Sequence, residues 1–485
     1  MVRSVKNDSA PINRIPPELL SLVALHLGKS HSDKTLITLT HLCQGLREVL
    51  TTDSSLWTYL DCANVEKTRV YLERSKSSPL EITFDDYRVL HYREDAFRLI
   101  LPHIARVCSI NIRGGEGLFK LLITHFSCPV PLLKNLDLHL SITPPPVLNR
   151  TLFNGDLSAL SKLKLSGVDP HLPWRNLSNL TSFSLLAAPG AKISVTRLLD
   201  LFADATFLSE IKIGSLPDSS DAPPGRVVPL PRLNRLTVLT KLGPPSILLN
   251  HLSIPPGALL HLEFHVPDDE FRLRELLPTT SDNLQNISHI TSIQLHYNEE
   301  DIPIQLNGPS GQLHVRGYRN GWSSSGISDH IVLRSLDNFA LSRIQELRVT
   351  MYEFSNRGRD DSSPRHILGA MGDLRTLSLD RGNHIPFIFA LNPDHHPSKL
   401  LLCPRLESLI LYDEDEGWFG SSELLTMTRE RMFKGMKLQS MTLVSIDGPS
   451  PEEEVARFEE YVICVEHRFE DSSPEWDTIS CHEIE

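Results

Sequence analysis

The sequence predicts an α/β chain: an array of short repeats whose strands lie side by side in a parallel sheet, preceded by a small all-helical domain. Three observations carry this. A phrase of the form apolar-x-x-apolar-x-apolar recurs from LKNLDLHL at residue 133 to LQSMTLVS at residue 438, with partial copies at LEITFD (80–85), VCSINIRG (107–114) and QLHVRG (312–317). The residue between the last two apolar positions is polar in thirteen of fourteen copies, where 40% hydrophobic composition would make five or six of them apolar. Ahead of the first copy, the apolar residues instead follow a helical period.

The helical part begins at PINRIPPELLSLVALHL, residues 11–27. The paired prolines force Ile15 and Pro16 to be extended, and Pro17 suits the first helical position, where no amide donor is needed. Glu18 favours that start through the helix dipole. At 100° per residue Leu19, Leu20, Val23, Ala24 and Leu27 form one stripe, with Leu22 and Leu25 on the other side. A helix with so little chain before it cannot bury both sides, so a partner is expected. A second periodic segment, DKTLITLTHLCQGLREVLTTDSSLWTYLD, runs from 33 to 61.

In the array, the first residues of the apolar-x-apolar triplets stand at 82, 110, 136, 163, 183, 211, 236, 262, 293, 313, 347, 377, 409 and 441. The alternation implies a strand with its apolar pair pointing inward and the middle residue pointing out. Intervals of 20 to 34 residues leave room for the crossovers that parallel pairing requires. Inserts such as PDSSDAPPGRVVPLP (217–231) and SNRGRDDSSP (355–364) read as loops. Near the end, SPEEEVARFEEYVICVEHRF (450–469) reads as a helix capped by Ser450, with Pro451 first and Glu453 closing a capping box; its narrow apolar stripe suits a cap for the array.

The repeats resemble the leucine-rich repeat family, which implies a solenoid with a parallel concave sheet. I-P-P-E-L-L, the L-x-x-L-x-x-L-C-x-x-L-R run from Leu36 to Arg47 and D-x-x-L-W at 53–57 resemble the F-box. The domains implied are a flexible stretch 1–10, an F-box domain 11–75, a leucine-rich-repeat-like solenoid 76–448, a capping helix 449–470 and an acidic tail 471–485. The F-box resemblance implies a Skp-type adaptor as partner and, through it, a cullin and a RING subunit of a ubiquitin ligase. Ile15, Pro16, Leu19 and Leu20 match its adaptor-facing motif; Leu36, Leu39 and Trp57 match positions that pack the module or complete that interface. A protein target is then expected on the outward residues of the sheet, among them Lys164, Lys212, Glu263, Gln294, His314 and Arg348. A scaffold unconnected with ubiquitin transfer is the alternative.

Other functions find little support. Walker, H-E-x-x-H, G-x-G-x-x-G and G-x-S-x-G motifs are all missing, and GWSSSG (321–326) has the wrong glycine spacing for a nucleophile elbow. His395–His396, the DEDE run at 413–416 and the pair His261 and His265 read as solvated side chains, so neither catalysis, a metal nor a cofactor is expected. The seven cysteines form no C-x-x-C pair. The net charge of −12 belongs to the end of the chain: residues 413–485 hold 19 acidic and 6 basic residues, leaving 41 and 42 before them. A balanced body argues against a nucleic-acid ligand. No apolar run reaches the ~20 residues of a membrane span, and the first residues lack a secretory core, so an intracellular location, cytoplasmic or nuclear, is expected.

Overall fold

The computed structural model describes residues 15–30, 34–85, 94–148, 152–155, 157–169, 177–186, 194–214, 216, 220–240, 244–266, 276–278, 282–297, 301–319, 336, 340–351, 362–380, 384–395, 401–413, 422–445 and 456–469. The stretches 1–10 and 471–485, GWSSSG, His396, 414–416 of the acidic run and the start of the expected capping helix lie outside them. The chain divides into two compact units, Met1–Ser215 and Leu216–Glu485, a division that falls inside the span 76–448 read as one array.

The first unit opens with α1 (Pro17–Ser30), α2 (Lys34–Leu42) and α3 (Gln44–Thr52). Pro16 starts α1 as expected: its carbonyl accepts from the amides of Leu19 and Leu20, at 3.0 and 3.1 Å. The Cys and Arg of the L-C-x-x-L-R run join α2 to α3. Cys43 Sγ accepts from the amide of Leu46 as an N-cap, and Arg47 Nε donates to the carbonyl of Thr40 at 2.8 Å. Asp53 then caps the short turn 54–57, accepting from the Ser55 amide and hydroxyl at 3.0 and 2.7 Å. That turn drives Trp57 inward, where its Nε1 donates to the carbonyl of Leu50 at 2.8 Å. Tyr71 of α4 (Val65–Arg74) meets the indole edge-on at 4.9 Å, and the Arg74 guanidinium lies 4.3 Å from its centre.

Seven parallel strands follow in sequence order: β1 (Tyr59–Asp61), β2 (Leu80–Asp85), β3 (Val107–Gly114), β4 (Asn135–Leu140), β5 (Lys162–Ser166), β6 (Ser182–Leu186) and β7 (Glu210–Gly214). The sheet therefore begins at Tyr59, earlier than the first repeat read from the sequence. Ile82, Ile110, Leu136, Leu163, Phe183 and Ile211 pair across it in register, all buried, as do the apolar residues two positions on. Between them Thr83, Asn111, Asp137, Lys164, Ser184 and Lys212 form one row on the opposite face. Hydroxyls mark the entry to successive strands. Ser161 binds the carbonyl of Lys134 through both its amide and its Oγ, Thr181 does the same to Ser161, and Ser209 to Thr181, at 2.8–3.1 Å. Under the sheet, Phe84, Phe97, Phe126 and Phe153 stack in a column with successive centroids 4.2, 5.6 and 6.0 Å apart.

Among the described residues, the second unit contributes ten strands to the large sheet, besides the short parallel pair Val228–Pro229 and Leu252–Ser253: β8 (Arg235–Thr240), β9 (Leu259–Val266), β10 (Ser292–Tyr297), β11 (Asp301–Gly308), β12 (Gly311–Arg319), β13 (Glu346–Met351), β14 (Thr376–Asp380), β15 (Ser408–Asp413), β16 (Leu438–Ser445) and β17 (Val462–Phe469). Their spatial order is 8-9-12-11-10-13-14-15-16-17, and only β11 runs antiparallel, to both its neighbours. This corrects the expected succession of strands in sequence order. Three residues separate β10 from β11 and two separate β11 from β12, whereas a parallel crossover needs about a dozen. Gly308 and Gly311 flank the tighter turn. A Cβ on Gly308 would sit 2.0 Å from the carbonyl of His289, and Gly311 has φ +137°.

Two further corrections follow. Leu260 pairs with Leu236, so His261 joins the outward row and Glu263 falls in the adjacent outward row, beside Arg316. The expected capping helix is replaced, in its second half, by β17, which pairs in parallel with β16. The run VICV favours a strand through its branched side chains, and β16 offers an edge to pair with. Phe458 and Val462, expected on the helix stripe, are buried just before and at the start of this strand. Nearby, the fully buried Arg431 of the helix Ser422–Phe433 donates to the carbonyls of Leu402 and Cys403 at 3.0 and 2.8 Å, holding Cys403 in its left-handed conformation.

Trp57 is the joint of the helical part, and its substitutions separate packing from hydrogen bonding. Trp57→Phe leaves the Leu50 carbonyl without its donor and lowers stability by about 1–3 kcal/mol. Trp57→Ala, which adds a cavity, costs about 3–5 kcal/mol, both read from urea unfolding of the full chain.

Candidate functional site

Two surfaces gather the residues singled out in the sequence. The first lies on α1. Ile15, Pro16 and Leu19 are exposed, Leu19 to 52%, while Leu20 and Leu39 are half-buried. Leu22 and Val23 are 56% and 54% exposed, so the outward stripe is Ile15, Leu19, Leu22 and Val23, and the inward side holds Leu20, Ala24, Leu25 and Leu27. The helical wheel therefore divides differently from the sequence reading, which grouped Leu19 and Val23 with Ala24. The i, i+3, i+4 spacing of 19, 22 and 23 was the available signal. Leu36 and Trp57 are 4% and 1% exposed. Of the two roles the resemblance implies for them, packing the module or completing the interface, their burial accords with the first.

Beside the stripe runs a groove of about 670 Å³ between α1 and α3. Leu22, Leu25 and Val49 supply its apolar lining, and Glu18, Glu48 and Asp53 bring carboxylates to it. Burial opposes ionisation of Asp53, but hydrogen bonds from Ser55 and Ser21 outweigh it and hold the carboxyl below its usual range. The apolar stripe and this groove share Leu22, so a partner laid on α1 meets both.

The second surface is the outward face of the strands. In the first unit it carries Lys164 and Lys212; in the second it carries His314, Gln294 and Arg348 in the same row as His261, with Glu263 in the row beside them. All six expected contact residues are thus on outward faces and half-buried, divided between the two units. His261 Nε2 lies 2.7 Å from Glu263 Oε1, and its ring meets that of His314 edge-on at 6.2 Å. Burial first, then His261 and Arg235, push the His314 imidazole down to about 4. The Asp137 carboxyl is raised by burial, against the pull of Lys164, Arg113 and His139.

Among the described residues no group of three or more His, Cys, Asp or Glu is placed to hold a metal ion, and no helix is long and apolar enough to cross a membrane. No protein-family model matches the chain, and no curated protein is detectably similar to it.

The His314 environment sets a pH dependence. Between pH 6.5 and about 4 the unfolded chain takes up a proton at this position that the folded chain refuses, so stability falls as pH drops through that window. His314→Gln flattens this fall relative to the parent in unfolding measured at successive pH values, and the imidazole C2 proton of the parent titrates near pH 4 by NMR.

Proposed function

We propose that this chain is the substrate-recognition subunit of an SCF-type ubiquitin ligase. In this reading α1 docks a Skp-type adaptor, and the outward faces of the strands hold a target protein. The observation that carries it is the apolar stripe Ile15, Leu19, Leu22 and Val23, left in water by a helix whose other side already packs against α2 and α3. Fully burying one such side chain is worth about 1.5–3 kcal/mol, so the stripe supplies the anchors of a stable interface.

The local chemistry of the module supports the same reading. Among the residues that gave the F-box resemblance, Cys43 and Asp53 cap α3 and the turn after it, Arg47 ties α3 to α2 and Trp57 ties the turn back to α3. Asp53 also accepts a hydrogen bond from Ser21 of α1. The chain then contributes proximity rather than chemistry: adaptor and target held on one polypeptide raise the effective concentration of the target at the ligase.

The test is capture. The full chain retains a purified Skp-type adaptor on a column, and Leu19→Asp or Leu22→Asp abolishes retention while the melting curve stays that of the parent, because both side chains are exposed. If the parent chain retains no adaptor, the proposal is wrong.

A further inference from the structure

The register of the first unit sets a charge pattern on its outward face. Register places Lys164, Ser184 and Lys212 side by side on β5, β6 and β7, a hydroxyl flanked by two ammonium-bearing side chains. In the next row Ser182 stands between Lys162 and Glu210, so the doubly cationic flank belongs to Ser184. Toward the other end of the same row stand Asp137, next to Lys164, and Asn111, next to Asp137. Ser184 Oγ, Asp137 Oδ1 and Asn111 Oδ1 have no hydrogen-bond partner among the described residues. Over β2 to β4 the outward residues include Glu81, Asp85 and Asp137 against Arg113; over β5 to β7 they include Lys162, Lys164 and Lys212 against Glu210. The face, taken over its rows, thus has a more acidic half and a more basic half.

We propose that the Lys164–Ser184–Lys212 row anchors an anionic side chain, carboxylate or phosphate, of an extended peptide segment that places a cationic side chain three or four residues away against Asp137 and Asn111. Strands ~4.8 Å apart put Ser184 roughly 10 Å from Asp137 and roughly 14 Å from Asn111, and an extended segment covers ~3.3 Å per residue. The two lysines flank one point, where an anion accepts from both ammoniums and from the hydroxyl between them. Ser184 Oγ is buried without a partner, and an anion seated between the two lysines supplies one. The opposite charge of the two halves fixes which way the segment lies, because unlike ends attract and like ends repel. Assigning the segment to a ligase target rests on the proposed function; the site itself does not.

The experiment pans degenerate nonapeptides over the immobilised full chain in three arms, with glutamate, phosphoserine or alanine fixed at the centre. The glutamate or phosphoserine arm is retained about tenfold over alanine, the loss expected for one charge-assisted hydrogen bond, and whichever arm leads names the source of the anion. Retained peptides are enriched in Lys or Arg at the third or fourth position to one side. Lys164→Glu with Lys212→Glu removes the preference for an anion, while Asp137→Asn removes the Lys/Arg enrichment alone. Equal retention in all three arms, or an anion preference unchanged by the lysine reversals, overturns the site. Adaptor capture by the same variants stays at the parental level, so failure here and failure of the ligase reading are separately visible.

Discussion

The strands of both units depend on one constraint, that the two apolar residues of each short strand stay in register with those of its neighbours. Ile82, Ile110, Leu136, Leu163, Phe183 and Ile211 are buried together because each strand offers the same parity to the same side. A slip of one residue would send Leu163 and Leu165 to the outward face and bring Lys164 inside, a cost no loop contact repays. The hydroxyl at each strand entry reinforces this. Ser161, Thr181 and Ser209 each bind the carbonyl of the residue that entered the sheet before them, so the start of one strand is measured from the start of the last.

Much of this was readable because burial and chemistry coincide along each strand. Where the two diverge, the reading failed. LLHLEFHV satisfies the apolar-x-apolar pattern in two positions, and only pairing with Leu236 decides that His261 rather than Glu263 joins the row. DIPIQLNG, which forms β11, alternates well but carries a proline and sits inside an interval of 20 residues, a length shared by the parallel neighbours β5 and β6, so length alone did not announce the hairpin. For VICVEHRF, a capping sequence upstream argued for a helix, yet the open edge of β16 outweighed that local preference.

The same distinction governs the helical part. Proline placement was legible as a local signal, whereas Cys43 and Asp53 stood out only through the family resemblance and their capping bonds emerge from the structure. Which side of α1 faces inward was not legible, because Leu, Val and Ala occur all round the helix. The contacts of α2 and α3 decide it, selecting Ala24 for the close approach and leaving the larger Leu19, Leu22 and Val23 outside. Trp57 and Leu36 illustrate the converse: large apolar residues in a recognisable motif, consumed by the interior.

The backward-running strand β11 has a consequence for how the second unit is made. Strand β9 pairs not with the next strand to be synthesised but with β12, which ends at Arg319, some fifty residues later. During translation the hydrogen-bonding edge of β9 therefore waits, uncovered, until the whole meander has left the ribosome and turned back. The first unit, in which each new strand finds its neighbour already in place, meets no such pause.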